Sequence, residues 1–197
     1  MEQMNLFHRS VINDNPFVEE ENKKSKEKVK IIDLFAGVGG FHYGISAAAS
    51  KLKKGVKAEL VSEIEESCKQ VYSNNFGVEA FGDINKIALS DFNNISADIV
   101  TAGFPCQPFS NSGKKLGLSD HRGQFYFKIE EIIKHFKSKS FILENVTGLK
   151  TNGGGQYKSK LSYTPNIIGN SMNYMEENLL KLKDYSIKWV ELDSSKF

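Results

Sequence analysis

The chain is predicted to fold as an α/β domain, a doubly wound and mostly parallel sheet covered by helices. Two observations predict this. From Val29 onward, short runs rich in Val, Ile and Leu alternate with stretches whose apolar residues recur every three to four positions. The two best-defined strands also end in Gly- or Pro-containing turns, as strands that hand over to loops at one sheet edge do. At 197 residues the chain is long enough for one such core and too short for two.

The elements follow in order. Residues 1–28 are polar and close on the mixed-charge run Glu19 to Lys28, read as a disordered, solvated tail; 29–197 is the folded domain. Lys30 to Phe35 is the first strand and Phe41 to Leu52 the first helix. Val56 to Glu63 is the second strand. Glu65 to Phe76 is a helix with Cys68, Val71, Tyr72 and Asn75 on one stripe. Glu79 to Gly82 is a short third strand and Ala97 to Phe104 a fourth, followed by a long loop. Gln124 to Phe136 is helical through Phe125, Ile129, Ile132, Ile133 and Phe136, and Ser140 to Leu143 is a fifth strand. After the Gly-rich insertion Thr151 to Gly155, Tyr174 to Leu182 is helical and Tyr185 to Leu192 a sixth strand.

Composition narrows the function classes. Net charge is only +2, so no global polybasic character points to nucleic acid and local charge must carry that case. Two cysteines, Cys68 and Cys106, make neither a disulfide framework nor a clustered metal site, and no metal is expected. The N-terminus shows no signal peptide, and no apolar run nears the roughly 20 residues that span a bilayer. A reduced, cytoplasmic setting is expected.

The octapeptide Gly103-Phe104-Pro105-Cys106-Gln107-Pro108-Phe109-Ser110 carries the most chemistry. It places Cys106 on a proline-stiffened loop at the carboxyl end of a strand, the edge where open α/β sheets bind ligands. A buried structural thiol is the plain alternative; the loop position and the Glu144-Asn145 pair ending the next strand favour a nucleophile. Asp33-Leu34-Phe35-Ala36-Gly37-Val38-Gly39-Gly40-Phe41 joins the first strand to the first helix. The third glycine of the dinucleotide fingerprint falls at His42, so a pyrophosphate site fails. A nucleoside without phosphates fits better. Glu63 can accept from ribose hydroxyls and Asp83 from an adenine amino group, each at a successive strand end, and S-adenosylmethionine is the best candidate ligand.

With these stretches, Glu63 followed by Tyr72 and Asn75-Phe76-Gly77, then Gly82-Asp83-Ile84, Asp120-His121-Arg122-Gly123 and Glu144-Asn145-Val146, the chain resembles the cytosine-5 DNA methyltransferases over residues 29–149. The resemblance implies a Rossmann-like, S-adenosylmethionine-dependent fold. It implies Cys106 as the thiolate that adds to cytosine carbon 6, Glu144 on ring nitrogen 3, and Asn145 orienting Glu144 or the Pro105 loop. It implies Phe35, Ile64 and Ile84 around the adenine, Glu63 on the ribose, and Asp83 on the amino group. Gly37 and Gly39 would lie under the methionine, with Pro105 and Phe125 lining the site. Gln107, Ser110, Lys114, Lys115 and Arg122 would meet double-stranded DNA, from which the target base is flipped.

The chain departs from the family after Ser194. An arginine segment, the sheet's last strand, the target-recognition domain and the closing helix are expected next. Gly169-Asn170-Ser171-Met172 echoes the start of that closing motif, but the reading preferred for so short a string is a chance match before the helix from Tyr174. The expectation is therefore the catalytic part of a split or truncated enzyme, with two unpaired sheet edges. It would work on nucleoid DNA with a second polypeptide carrying target recognition. The alternative is a catalytically silent cofactor- or DNA-binding remnant acting as an interaction module.

Overall fold

The computed structural model describes residues 27–105 and 125–196. The chain divides into two compact units. One comprises the residues up to Gly103 together with Ile129–Leu143; the other comprises Phe104–Lys128 and the residues from Glu144 onward.

The first unit is the sheet. Its strands are β1 (Lys28–Leu34), β2 (Gly55–Ser62), β3 (Ile99–Gly103) and β4 (Ser140–Glu144), in spatial order β2-β1-β3-β4. β1 runs parallel to both neighbours, pairing Lys28 with Gly55 and Leu34 with Ala102. Parallel neighbours need crossover connections, and the helices α1 (Gly40–Lys51), α2 (Glu66–Phe76) and α3 (Phe125–Phe136) supply them. Ile31, Ile32, Leu34, Val100 and Ala102 are fully buried, as the near-continuous apolar run of a doubly covered strand requires. In α3 the spacing Ile129, Ile132, Ile133 produces a buried stripe.

β2 carries one irregularity. Ile31 pairs with Ala58 but Ile32 pairs with Leu60, so Glu59 is an extra residue, a bulge. Below it, Val56 packs with Ile31 and Ala49. Above it, Val61 packs with Ala36, Tyr72 and Ala80.

Glu79 to Gly82, read from the sequence as a strand, forms only an isolated parallel bridge between Phe81 and Ser62. Among the described residues its backbone ladder is two hydrogen bonds, Phe81 N to Val61 O and Glu63 N to Phe81 O, with the Ser62 hydroxyl donating to Gly82 O at 2.9 Å beside them. The chain then turns at once into the short 3₁₀ helix Ile84–Lys86, capped by the Asp83 side chain. α2 ends as its sequence dictates, on Gly77 in the left-handed conformation (φ 66°). Of its expected stripe, only Tyr72 is buried.

The second unit contains α4 (Gly148–Thr151), the hairpin β5 (Tyr157–Lys158) with β6 (Ile167–Ile168), and α5 (Asn170–Leu179). The hairpin was not legible as strands, being two residues per arm. α5 begins four residues before the expected start at Tyr174. Gly169 lets the chain pass close by residue 152, where a Cβ would come within 2.2 Å of the Asn152 carbonyl oxygen, and the Ser171 hydroxyl donates to Asn152 Oδ1 at 2.7 Å. Gly169-Asn170-Ser171 thus starts a helix against a turn. Tyr185 to Leu192 is not a strand either. Tyr185, Ile187 and Trp189 are half-buried and alternate with exposed neighbours, yet the backbone makes a single bridge, Ser162 to Trp189. Of the two expected edge strands, the one at β4 ends the sheet among the described residues, with Ile142 46% exposed.

What holds this unit is a buried acid. Glu176 is fully buried and accepts from the Ser159 hydroxyl (2.5 Å), the Lys160 amide (2.7 Å) and Trp189 Nε1 (2.6 Å), tying helix, hairpin and C-terminal segment together. Glu176→Gln sets an amide N–H against one of these donors. It should cost about 1–3 kcal/mol, read as a lower denaturation midpoint; an unchanged midpoint would show the knot to be dispensable. No helix among the described residues is long and apolar enough to cross a membrane.

Candidate functional site

The carboxyl ends of β1 and β2 meet at the glycine turn. Phe35 leaves β1 with φ 55°, a left-handed conformation that is unusual for an aromatic residue and marks local strain. Gly37 (φ 53°) and Gly39 (φ 96°) continue the turn, and Gly39 caps α1. Its amide donates to the Ala36 carbonyl at 2.9 Å, and the Ala36 amide donates to Ser62 O at 3.0 Å, joining turn and strand.

Glu63, one residue past β2, organises the turn. Its Oε2 accepts from the Gly37 amide at 2.8 Å, while Oε1 accepts from the Ile64 and Glu65 amides, both at 2.8 Å. One carboxylate therefore fixes the turn and satisfies amides at the start of α2, whose N-cap has no side-chain bond of its own. A carboxylate offers about four acceptor positions, so Oε2 retains capacity for one more donor. Ile64 beside it is 73% exposed, and Asp83 is half-buried with Oδ1 accepting from the Asn85 amide (2.9 Å) and side chain (3.1 Å). Ile84 is buried. Phe35, Gly37, Gly39, Glu63, Ile64, Asp83 and Ile84 all belong to the first unit, at the ends of β1, β2 and the Phe81 bridge.

Sequence reasoning did not find the polar chain under the turn. Asp33 is fully buried, and its Oδ1 accepts from the Thr101 hydroxyl at 2.6 Å. Burial pushes its carboxyl up to about 6, opposed by the Thr101 hydrogen bond and the Tyr72 hydroxyl. The Tyr72 hydroxyl lies 2.7 Å from His42 Nδ1, and the His42 ring stacks on Phe76 at 4.0 Å. Burial pulls His42 down to about 4 and, with the Asp33 charge next, holds the Tyr72 hydroxyl well above the usual phenol range. The available signal was an acid in the apolar run Ile31-Ile32-Asp33-Leu34, where an unpartnered carboxylate would be costly.

In the second unit, Glu144 ends β4 and is exposed, and Asn145 follows it. Asn145 Nδ2 donates to the Phe104 carbonyl at 3.0 Å, and its Oδ1 accepts from the Val146 amide at 2.9 Å. The Asn145 bond thus reaches the residue before Pro105. Pro105 and Phe125 are half-buried. Cys106, Gln107, Ser110, Lys114, Lys115 and Arg122 lie outside the described residues, as does the tail to residue 26.

The family profile described as C-5 cytosine-specific DNA methylase matches residues 29–197. Type II methyltransferase M.HgiCI of Herpetosiphon aurantiacus is 41% identical over 162 residues, 78% of this chain and 38% of that protein. M.HpaII of Haemophilus parainfluenzae is 35% identical over 185 residues, 93% of this chain and 49% of that protein. The solved structure of the Entamoeba histolytica methyltransferase EhMeth superposes with a TM-score of 0.57 at 19% identity, covering 80% of this chain and 45% of that one, a likeness of fold. The chain spans less than half the length of these curated relatives.

Proposed function

We propose, from the premise that this chain belongs to the C-5 cytosine-specific DNA methylase family, that it carries the cofactor pocket and the nucleophile for methylating carbon 5 of cytosine in DNA. The observation that carries this reading is the Glu63 carboxylate bridging the Gly37 amide and the start of α2. It sets an acid with spare acceptor capacity beside a glycine turn that lacks the pyrophosphate pattern. Those residues fit S-adenosylmethionine, a nucleoside without phosphates. Glu63 would accept from the ribose, Asp83 from the adenine amino group, and Phe35, Ile64 and Ile84 would supply apolar surface to the ring. Gly37 and Gly39 would let the methionine lie on the backbone; Pro105 and Phe125 are assigned to the cofactor by the family resemblance alone. When bound, S-adenosylmethionine supplies the electrophilic methyl group.

The chain's own residues prepare the base. Carbon 5 of cytosine is a poor nucleophile until a thiolate adds to carbon 6. Cys106 makes that carbon–sulfur bond, and its electron pair moves into the ring toward nitrogen 3, where Glu144 holds the developing charge with a hydrogen bond. Once carbon 5 carries the methyl group, loss of its proton re-forms the ring double bond and expels the Cys106 thiolate. Asn145 is assigned to orienting Glu144 or the backbone at Pro105, in keeping with its bond to the Phe104 carbonyl. The target atom lies inside the duplex stack, so the cytosine is flipped out, with Gln107, Ser110, Lys114, Lys115 and Arg122 assigned to DNA. Sequence readout is assigned to polypeptide beyond these 197 residues, in keeping with the span of the relatives that the chain does not cover.

Calorimetry with S-adenosylmethionine tests the pocket. Glu63→Ala and Asp83→Ala should each weaken binding by about 1–3 kcal/mol, whereas Glu144→Gln should leave affinity unchanged and lower turnover. Unaltered binding in both alanine variants would remove these acids from the site.

A further inference from the structure

The glycine turn is gripped at two points, and only one grip belongs to the pocket just described. Two residues beyond the Gly37 amide that Glu63 holds, Gly39 lies directly on aromatic rings. A Cβ built there would fall 2.2 Å from Phe76 Cε2 and 3.1 Å from Tyr72 Cδ2, so only hydrogen fits between the turn and α2. The rings form one shelf: His42 stacks on Phe76 at 4.0 Å and 12°, and Tyr72 tilts against Phe76 at 4.8 Å and 53°. The shelf is tied by a polar bond, Tyr72 hydroxyl to His42 Nδ1, buried at 2.7 Å. His42 lies on α1, three residues beyond Gly39, and Tyr72 lies on α2. That bond therefore spans the two helices that bracket the turn.

We infer that Tyr72 is a positioning residue for the ligand of the glycine turn: its hydroxyl, bonded to His42, locks the aromatic shelf on which Gly39 rests and so sets how tightly the turn grips its ligand. Ring packing alone lets two stacked planes slide at little cost, whereas a directional hydrogen bond between their carriers fixes the offset. Glu63 then meets a turn already seated at Gly39. The inference rests on S-adenosylmethionine being the turn's ligand.

The test uses the 197-residue chain, with hydrogen exchange of residues 36–43 and calorimetry with S-adenosylmethionine as readouts. Tyr72→Phe keeps the ring and removes the hydroxyl. It should speed exchange in 36–43 about fivefold and raise the Kd about fivefold, the worth of one net hydrogen bond, while 28–34 and 99–103 stay protected. His42→Gln can still bond the Tyr72 hydroxyl and should stay within about twofold of the parent; His42→Leu cannot, and should shift both readouts in the same direction as Tyr72→Phe, which also takes the hydroxyl away from Asp33. If Tyr72→Phe does not fold, the Gln and Leu variants make the same comparison. Parent-like exchange and affinity in Tyr72→Phe, or equal Kd values for the Gln and Leu variants, would overturn the positioning role and leave the cofactor assignment standing. A parent chain that does not bind S-adenosylmethionine, with turn exchange still altered in Tyr72→Phe, would instead overturn the cofactor assignment and the inference with it.

Discussion

Cys106→Ser is expected to abolish methyl transfer in enzyme assayed together with the polypeptide proposed above for target recognition, a loss of about 10⁴-fold or more on the scale of nucleophile removal in covalent enzymes. A thiol with an ordinary pKa near 8.5 supplies some thiolate at neutral pH, and a serine hydroxyl supplies essentially no alkoxide. Cys68, half-buried on α2, belongs to the sheet unit and has no part in the proposed reaction, so Cys68→Ser should retain activity. DNA carrying 5-fluorocytosine should be trapped on Cys106, because the proton that must leave carbon 5 is replaced by fluorine. Peptide mapping of the adduct to another residue would refute the assignment.

Asp33→Asn and His42→Phe are expected to bend the pH dependence of stability in opposite directions. Asp33 titrates near 6 in the folded chain against an ordinary 3.8. A raised pKa means the folded state holds the proton more tightly, so this contribution is full below 3.8 and lost as pH rises through 6. It amounts to about 3 kcal/mol. His42 titrates near 4 against an ordinary 6.5. A lowered pKa means the folded state resists the proton, so its contribution is full above 6.5 and lost as pH falls through 4, again about 3 kcal/mol. In the parent the two slopes nearly cancel between pH 4 and 6.5. Asn at 33 leaves the His42 slope, and the variant should weaken relative to the parent on acidification. Phe at 42 keeps the stack on Phe76, leaves the Asp33 slope, and should strengthen relative to the parent. Denaturant titrations at pH 4, 5, 6 and 7 that gave three parallel profiles would contradict both.

The parts of the fold legible in the sequence were those where a side-chain pattern and a backbone ladder coincide. β1, β2 and β3 each have apolar runs that are buried because a neighbour pairs on either side or a helix covers them. α3 has a stripe whose period matches its burial. Where the two separate, the pattern misled. Tyr185 to Leu192 alternates in burial as a strand does, yet its anchor is the Trp189 Nε1 bond to Glu176, a side-chain contact. Glu79 to Gly82 has one bridge because the chain is drawn at once into the turn capped by Asp83. At the site, the glycine turn and Glu63 were legible because φ above zero and a strand-end acid leave local marks. The Asp33-Thr101 and Tyr72-His42 pairs were not, since their members lie 68 and 30 residues apart and meet only once β3 and α2 are packed.

The extra residue at Glu59 makes β2 two half-strands of opposite parity. In the lower half the even-numbered residues Val56 and Ala58 face the helical layer; in the upper half the odd-numbered Val61 does. Side-chain direction at the site is thus decoupled from direction in the lower core. Substitutions at 56 can be absorbed against α1 without rotating anything above the bulge, whereas Ala58 touches both clusters. A one-residue deletion between 57 and 60 is another matter: it restores a single parity, turns Val61 away from Tyr72 and swings Glu63 off the Gly37 amide. The strand tolerates changes of size and is intolerant of changes of count, and its insertion point works as a clock that tells the carboxylate which way to face.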